Sequence, residues 1–123
     1  MTRILLAGHG SWAAGMKSGV EMVAGPQPAI KAVNFTGNTE QLAADLKAAA
    51  SHGQDLLVLC DLAGGYPFQC AALQFHDRPQ TVVAGGVSAP MVLELVLQLE
   101  KTPAELMKLA EEAGHKAIRF MTF

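Results

Sequence analysis

The chain contains four short apolar runs, and each is cut off by glycine or a turn before a stretch with helical periodicity begins. The third run, DLLVLC (Asp55–Cys60), is the most apolar of the four and shows no alternation of inward and outward residues. A strand of that kind has both faces covered, as strands inside a helix-flanked parallel sheet do. The other runs are TRILLAG (Thr2–Gly8), AIKAVNF (Ala29–Phe35) and TVVAGG (Thr81–Gly86). Between them the spacing predicts helices. Met16, Val20 and Val23 mark one face of Ser11–Gly25, which Gly25-Pro26 stops. Leu42 and Leu46 mark one face of Thr39–Gly53, with Asn38 or Thr39 as the cap. A short helix, Phe68–Phe75, follows the third strand, and a long apolar one, Ser88–Glu100, follows the fourth. Thr102 and Glu105 form a capping box around Pro103, Gly114 closes that last helix, and KAIRFMTF (Lys116–Phe123) alternates like a strand.

Strands alternating with helices at this spacing give βαβ units. The expected fold is therefore one α/β domain over residues 1–123: a mainly parallel, doubly wound sheet with helices on both faces and a C-terminal edge strand. A length of 123 residues with 50% hydrophobic residues supplies one core of ordinary size. Nine basic and eleven acidic residues are interspersed, with no basic cluster interleaved with aromatics, so nucleic acid is not an expected partner. No apolar run approaches membrane-spanning length and no secretory leader pattern opens the sequence, so the expected location is the cytoplasm. Cys60 and Cys70 make neither a disulfide framework nor a zinc motif, and both read as small buried apolar residues.

In open α/β sheets, ligands bind beyond the carboxyl ends of the strands. Those ends carry His9 between Gly8 and Gly10, then Phe35-Thr36-Gly37, then Asp61 with Gly64-Gly65, then Gly85-Gly86-Val87-Ser88. Glycine on both flanks of His9 relaxes the backbone and clears space around the imidazole, as a reachable nucleophile needs and as a simple tight turn also would. Asp61 separates these readings. A nucleophilic histidine must be neutral, and a carboxylate bonded to its other ring nitrogen fixes the tautomer and steadies developing charge. Asp61 serves His9 in this way if the first and third strands are neighbours. Glycine-loop amides and helix N-termini would add an anion cradle, and the combination points to phosphoryl transfer through phosphohistidine.

GHGSWAAGM, DLAGGYPF and AGGVSAPMVLELVLQLE together resemble the IIA components of the mannose-type sugar phosphotransferase system, over almost the whole chain. The tail EEAGHKAIRF is most similar to the branch serving N-acetylgalactosamine or galactosamine uptake. The resemblance implies that His9 accepts a phosphoryl group on Nε2 from the histidine-containing phosphocarrier protein. It would then pass the group to a cognate IIB component, with Asp61 on Nδ1. It implies Gly10, Ser11, Gly64, Gly65 and Tyr66 around the phosphate, and Trp12, Phe35, Thr36 and Pro67 in partner docking. It implies no metal, nucleotide or other cofactor, an indirect link through IIB to the membrane IIC and IID transporter, and a homodimer in which RFMTF is a candidate for strand exchange. The sugar is not legible, because a IIA chain does not touch it.

Three positions depart from the family pattern: Tyr66 stands where Ser or Thr is usual, Ser88 where Asn is usual, and Trp12 where Phe is commoner. His52, His76 and His115 read as solvated turn or helix-end histidines, and Met16, Met22, Met91 and Met107 as core filling. A dinucleotide-binding enzyme is disfavoured because the next glycine after Gly8 and Gly10 is Gly15, and because Asn34-Phe35 ends the second strand without an acid for a ribose. A histidine phosphatase is disfavoured because the three arginines, Arg3, Arg78 and Arg119, lie away from His9 in the sequence. A non-catalytic regulatory module, whose phosphorylation state a partner senses, uses the same residues and stays open.

Overall fold

The protein is described by a computed structural model covering residues 1–50 and 54–123. Gly53, expected to close the second helix, lies outside the described residues. The most apolar runs form the inner strands. β1 (Arg3–His9) pairs on one side with β2 (Ile30–Phe35) and on the other with β3 (Leu56–Cys60), and β4 (Thr81–Ala84) adds to β3. All pairings are parallel, in the order β2-β1-β3-β4.

Alternation along β1 splits the core in two. Ile4 and Leu6 pack against α1 (Trp12–Ala24), α4 (Ala89–Leu95) and α5 (Pro103–Lys116). Leu5 and Ala7 point the other way, against α2 (Thr39–Ala49) and α3 (Tyr66–Phe75). Both faces are covered, as the unbroken apolar character of β3 requires. Asn38, not Thr39, caps α2: its side-chain oxygen accepts the Gln41 N–H at 3.0 Å.

Four expectations change. The helix expected over Ser88–Glu100 stops at Leu95. The chain then turns so that Leu99 is buried, the Leu99 carbonyl accepts the Thr2 N–H at 2.8 Å, and the Lys101 carbonyl accepts the Thr2 hydroxyl at 2.7 Å. Those bonds to the start of β1 replace the helical ones. Gly114 does not end α5; a Cβ there would lie 2.8 Å from Met91 Sδ, so the glycine makes room for the α4–α5 contact. Met22 and Val23 are exposed, because α1 buries Ala13 and Val20 and leaves its last turn outside the core. Finally, residues 117–123 form no strand. α5 runs through to Lys116, which consumes the residues that would turn the chain back to the free edge of β4, and without a ladder partner an alternating sequence has no reason to extend.

Candidate active site

The chain leaves β2, passes through α2 and crosses back over β1 to enter β3, so β1 and β3 flank the point where the winding reverses. This is the place where open α/β sheets bind ligands. His9 ends β1 and Asp61 follows β3 there. Asp61 Oδ2 accepts the backbone N–H of His9 at 2.9 Å and lies 2.9 Å from His9 Nδ1, while its Oδ1 accepts the Leu62 N–H at 2.9 Å. Partial burial pushes the Asp61 carboxyl up, but the bonds from the His9 N–H, the imidazole and the Leu62 N–H outweigh it and hold it below the usual value of 3.8. The carboxylate is thus ionised at neutral pH, and a neutral His9 presents its proton on Nδ1 to it. Nε2 has no hydrogen-bond partner among the described residues, and the His9 side chain is 41% exposed.

The two glycines beside His9 do different work. The strand alternation turns Gly8 away from the imidazole, and a Cβ on it would lie 2.5 Å from Trp12 Cε3 and 3.1 Å from Asp61 Cγ. Gly8 therefore admits the Trp12 indole from the following helix, α1, so the space it clears is filled from within. Gly10 has φ +57, the left-handed conformation needed to swing from β1 into α1. Gly65 approaches the imidazole itself: a Cβ there would stand 3.0 Å from His9 Cε1. Gly85 lets the end of β4 touch the loop after β3, since a Cβ would fall 2.4 Å from the Ala63 Cα.

The amides expected around an anion are only partly available. The Gly10 N–H donates to the Phe35 carbonyl at 2.8 Å, and the Gly65 N–H donates to the Leu62 carbonyl at 3.2 Å, so both are engaged within the chain. The N–H groups of Ser11 and Tyr66, at the starts of α1 and α3, have no acceptor among the described residues. Gly64, with φ +79, shapes the turn that aims α3 at the site.

The docking set also divides. Thr36 is exposed beside the site and Phe35 is half-buried next to His9, whereas Trp12 packs against the α1, α4 and α5 core on the other face. Pro67 is buried in the first turn of α3, where it fixes the helix start; it has no surface to offer a partner. Ser88 caps α4 from its backbone, its N–H reaching Met91 Sδ at 3.3 Å. Asn34 was not anticipated: its Oδ1 accepts the Ala14 N–H at 3.2 Å and ties α1 to β2. The bond joins residues twenty positions apart, so no local signal in the sequence points to it. Cys60 is no rival nucleophile, because burial and the neighbouring Asp61 push its thiol up to about 12.

A family model described as "PTS system fructose IIA component" (EIIA-man) matches residues 3–112. The chain belongs to the EIIA-man family. This EIIA chain is a component of a sugar phosphotransferase system. It is 28% identical to the sorbose-specific EIIA component of Lacticaseibacillus casei, over 97% of this chain and 93% of that one. It is 29% identical to the mannose-specific EIIAB component of Escherichia coli, where 97% of this chain spans 39% of the longer protein. Among solved structures, the phosphotransferase EIIA component of Streptococcus agalactiae superposes with a TM-score of 0.90 at 25% identity, covering 98% of this chain and 97% of that one. The mannose/sorbose-specific IIA subunit of Enterococcus faecalis shares the fold, with a TM-score of 0.87 at 24% identity, covering 99% and 96%. Among the described residues, no EIIA helix is long and apolar enough to cross a membrane.

Proposed function

We propose that this EIIA protein, with residues 1–123 as one IIA domain, is a cytoplasmic phosphotransferase that carries a phosphoryl group on His9. The supporting observation is the asymmetry of the imidazole: Nδ1 is held by Asp61 at 2.9 Å, while Nε2 is unpartnered among the described residues. In the reaction the P–N bond of a donor phosphohistidine on the histidine-containing phosphocarrier protein breaks as a P–Nε2 bond forms on His9. The proton stays on Nδ1, and Asp61 balances the positive charge that spreads over the ring. Ser11 and Tyr66 offer main-chain N–H groups to the phosphoryl oxygens at the starts of α1 and α3, and Gly64 and Gly65 bring α3 close enough to do so. Transfer onward to a cognate IIB component reverses the same steps, and IIB connects the protein to the membrane IIC and IID transporter. Exchange between two histidines is nearly balanced, so positioning and charge stabilisation are what the site has to supply.

Incubation with phosphoenolpyruvate, the first enzyme of the system and the phosphocarrier tests the reading. An acid-labile mass increase is expected on the wild type and its complete loss in His9→Ala. A label that survives that substitution removes the reading. Adding candidate IIB components then distinguishes a carrier, which discharges, from a sensed regulatory module, which keeps its phosphate.

The homodimer belongs to the same proposal. Residues 117–123 carry exposed Ile118, Phe120, Met121 and Phe123, and β4 has one unpaired edge, so a tail from a second copy has an edge to join. Sedimentation of the full chain against a chain ending at Lys116 checks it: a dimer that persists in the shortened chain rules exchange out.

A further inference from the structure

β1 lies between β2 and β3, so the segments that follow β2 and β3 stand on either side of His9. One aromatic side chain from each of these neighbours meets the other there. Phe35, the last residue of β2, is the register partner of His9, and partners in register project from the same face of a sheet. Its ring meets the imidazole edge-on, with centroids 6.0 Å apart and planes at 71°. Tyr66, the first residue of α3, stacks on Phe35 with centroids 5.5 Å apart and planes at 17°.

Tyr66 is not a core residue. It is 53% exposed and belongs to neither packed cluster, and no hydrogen bond among the described residues reaches its hydroxyl. What its side chain does in this chain it does with the face of its ring. Phe35 packs on the core beneath α2 and α3, but β2 is an edge strand and the next residues, Thr36 and Gly37, are exposed, so the Tyr66 ring adds a second support.

We propose that Tyr66 is a positioning residue for His9, holding Phe35 against the imidazole so that Nε2 faces an incoming phosphoryl group from one direction. The inference rests on the carrier reading above. One hydrogen bond from Nδ1 to Asp61 restrains the ring but leaves it free to tilt about that bond. The Phe35 ring stands at one flank of the imidazole and limits that tilt. A nucleophile kept at its attack angle reacts faster without binding its partner more tightly. The size of an aromatic pair's contribution corresponds to about a two- to tenfold change in rate.

The experiment follows single-turnover phosphorylation of the protein across a range of phosphocarrier concentrations, for the wild type, Tyr66→Phe, Tyr66→Ala and Phe35→Leu. Tyr66→Phe keeps both the ring and the main-chain N–H and is expected to lose less than Tyr66→Ala. Tyr66→Ala and Phe35→Leu are expected to lower the maximal rate by about two- to tenfold, with the half-saturating concentration unchanged. An equal loss in Tyr66→Phe assigns the effect to the hydroxyl and overturns the proposal. So does a change confined to the half-saturating concentration, which assigns Tyr66 to docking, and so does a Tyr66→Ala protein that behaves as wild type. A wild type that takes no label removes the carrier reading and this inference together, whereas a labelled wild type with insensitive Tyr66 variants removes the inference alone.

Discussion

Ile4–Ala7 and Ile118–Phe123 are both apolar segments near an end of the chain, and they have opposite fates. Every residue of the first is buried, while Ile118 is 74% and Phe120 86% exposed. Hydrophobicity is common to both. What distinguishes β1 is a ladder on each side, to β2 and β3, and a helical layer over each face. A strand is thus a property of its neighbours as much as of its residues, and the candidate site exists because an enclosed strand ends in His9.

The sharpest way to break that contrast is to damage the enclosed side. Leu57→Ala, at a fully buried position of β3, is expected to cost about 2–5 kcal/mol in urea unfolding, since it leaves a cavity between layers. A cost under 1 kcal/mol places β3 outside the cooperative core. Next comes the junction of strand and site. Asp61→Asn loses charge-assisted bonds and is expected to slow His9 phosphorylation by about ten- to a hundredfold. The same substitution carries a pH signature. The Asp61 carboxyl is held below 3.8 in the folded protein, so its stabilising effect is complete above the unfolded value and fades as the pH falls through the lower folded one. The stability gap between wild type and Asp61→Asn is therefore expected to close once the pH falls below about 4. A gap that survives under strongly acid conditions contradicts that assignment.

Smaller again is Gly85→Ala, whose Cβ meets the Ala63 backbone at 2.4 Å. It is expected to cost about 1–3 kcal/mol and to displace the loop that carries Gly64 and Gly65, seen as a shifted Gly65 amide resonance. At the other end of the scale, Phe120→Ala is expected to change the unfolding free energy of the monomer by less than about 0.5 kcal/mol. A larger loss at low protein concentration means that the tail packs on its own chain.

The layers, the four strands and the meeting of His9 with Asp61 were legible because period and punctuation report local conformation, and the winding rules then bring the strand ends together. Two failures share a cause: a contact distant in sequence decided the matter. Leu99 leaves its helix where Thr2 takes its carbonyl, and Gly114 is a glycine inside a helix because Met91 occupies its open side, whereas the tail stays unpaired because α5 runs on up to it. The glycines around His9 illustrate the same limit. The flanking glycines suggested cleared space around the imidazole and the resemblance implied Gly10 beside a phosphate, yet Trp12 fills the space at Gly8 and the Phe35 carbonyl takes the Gly10 N–H. Nothing local to Asn34 or Tyr66 reveals that one tethers α1 and the other backs Phe35.

Thr2, the one buried polar side chain among the described residues, is bonded through both its N–H and its hydroxyl to the connection between α4 and α5. Asp61 grips the backbone of His9 at the far end of the same strand. β1 is in effect a measuring rod clamped at both tips. A slip of a single residue would turn every side chain over and deliver the imidazole to the Trp12 side of the sheet, away from Phe35 and Gly65. The height and heading of the His9 imidazole are thereby set by the length of a strand, which leaves a fixed post at the sheet edge for the transfer proposed above.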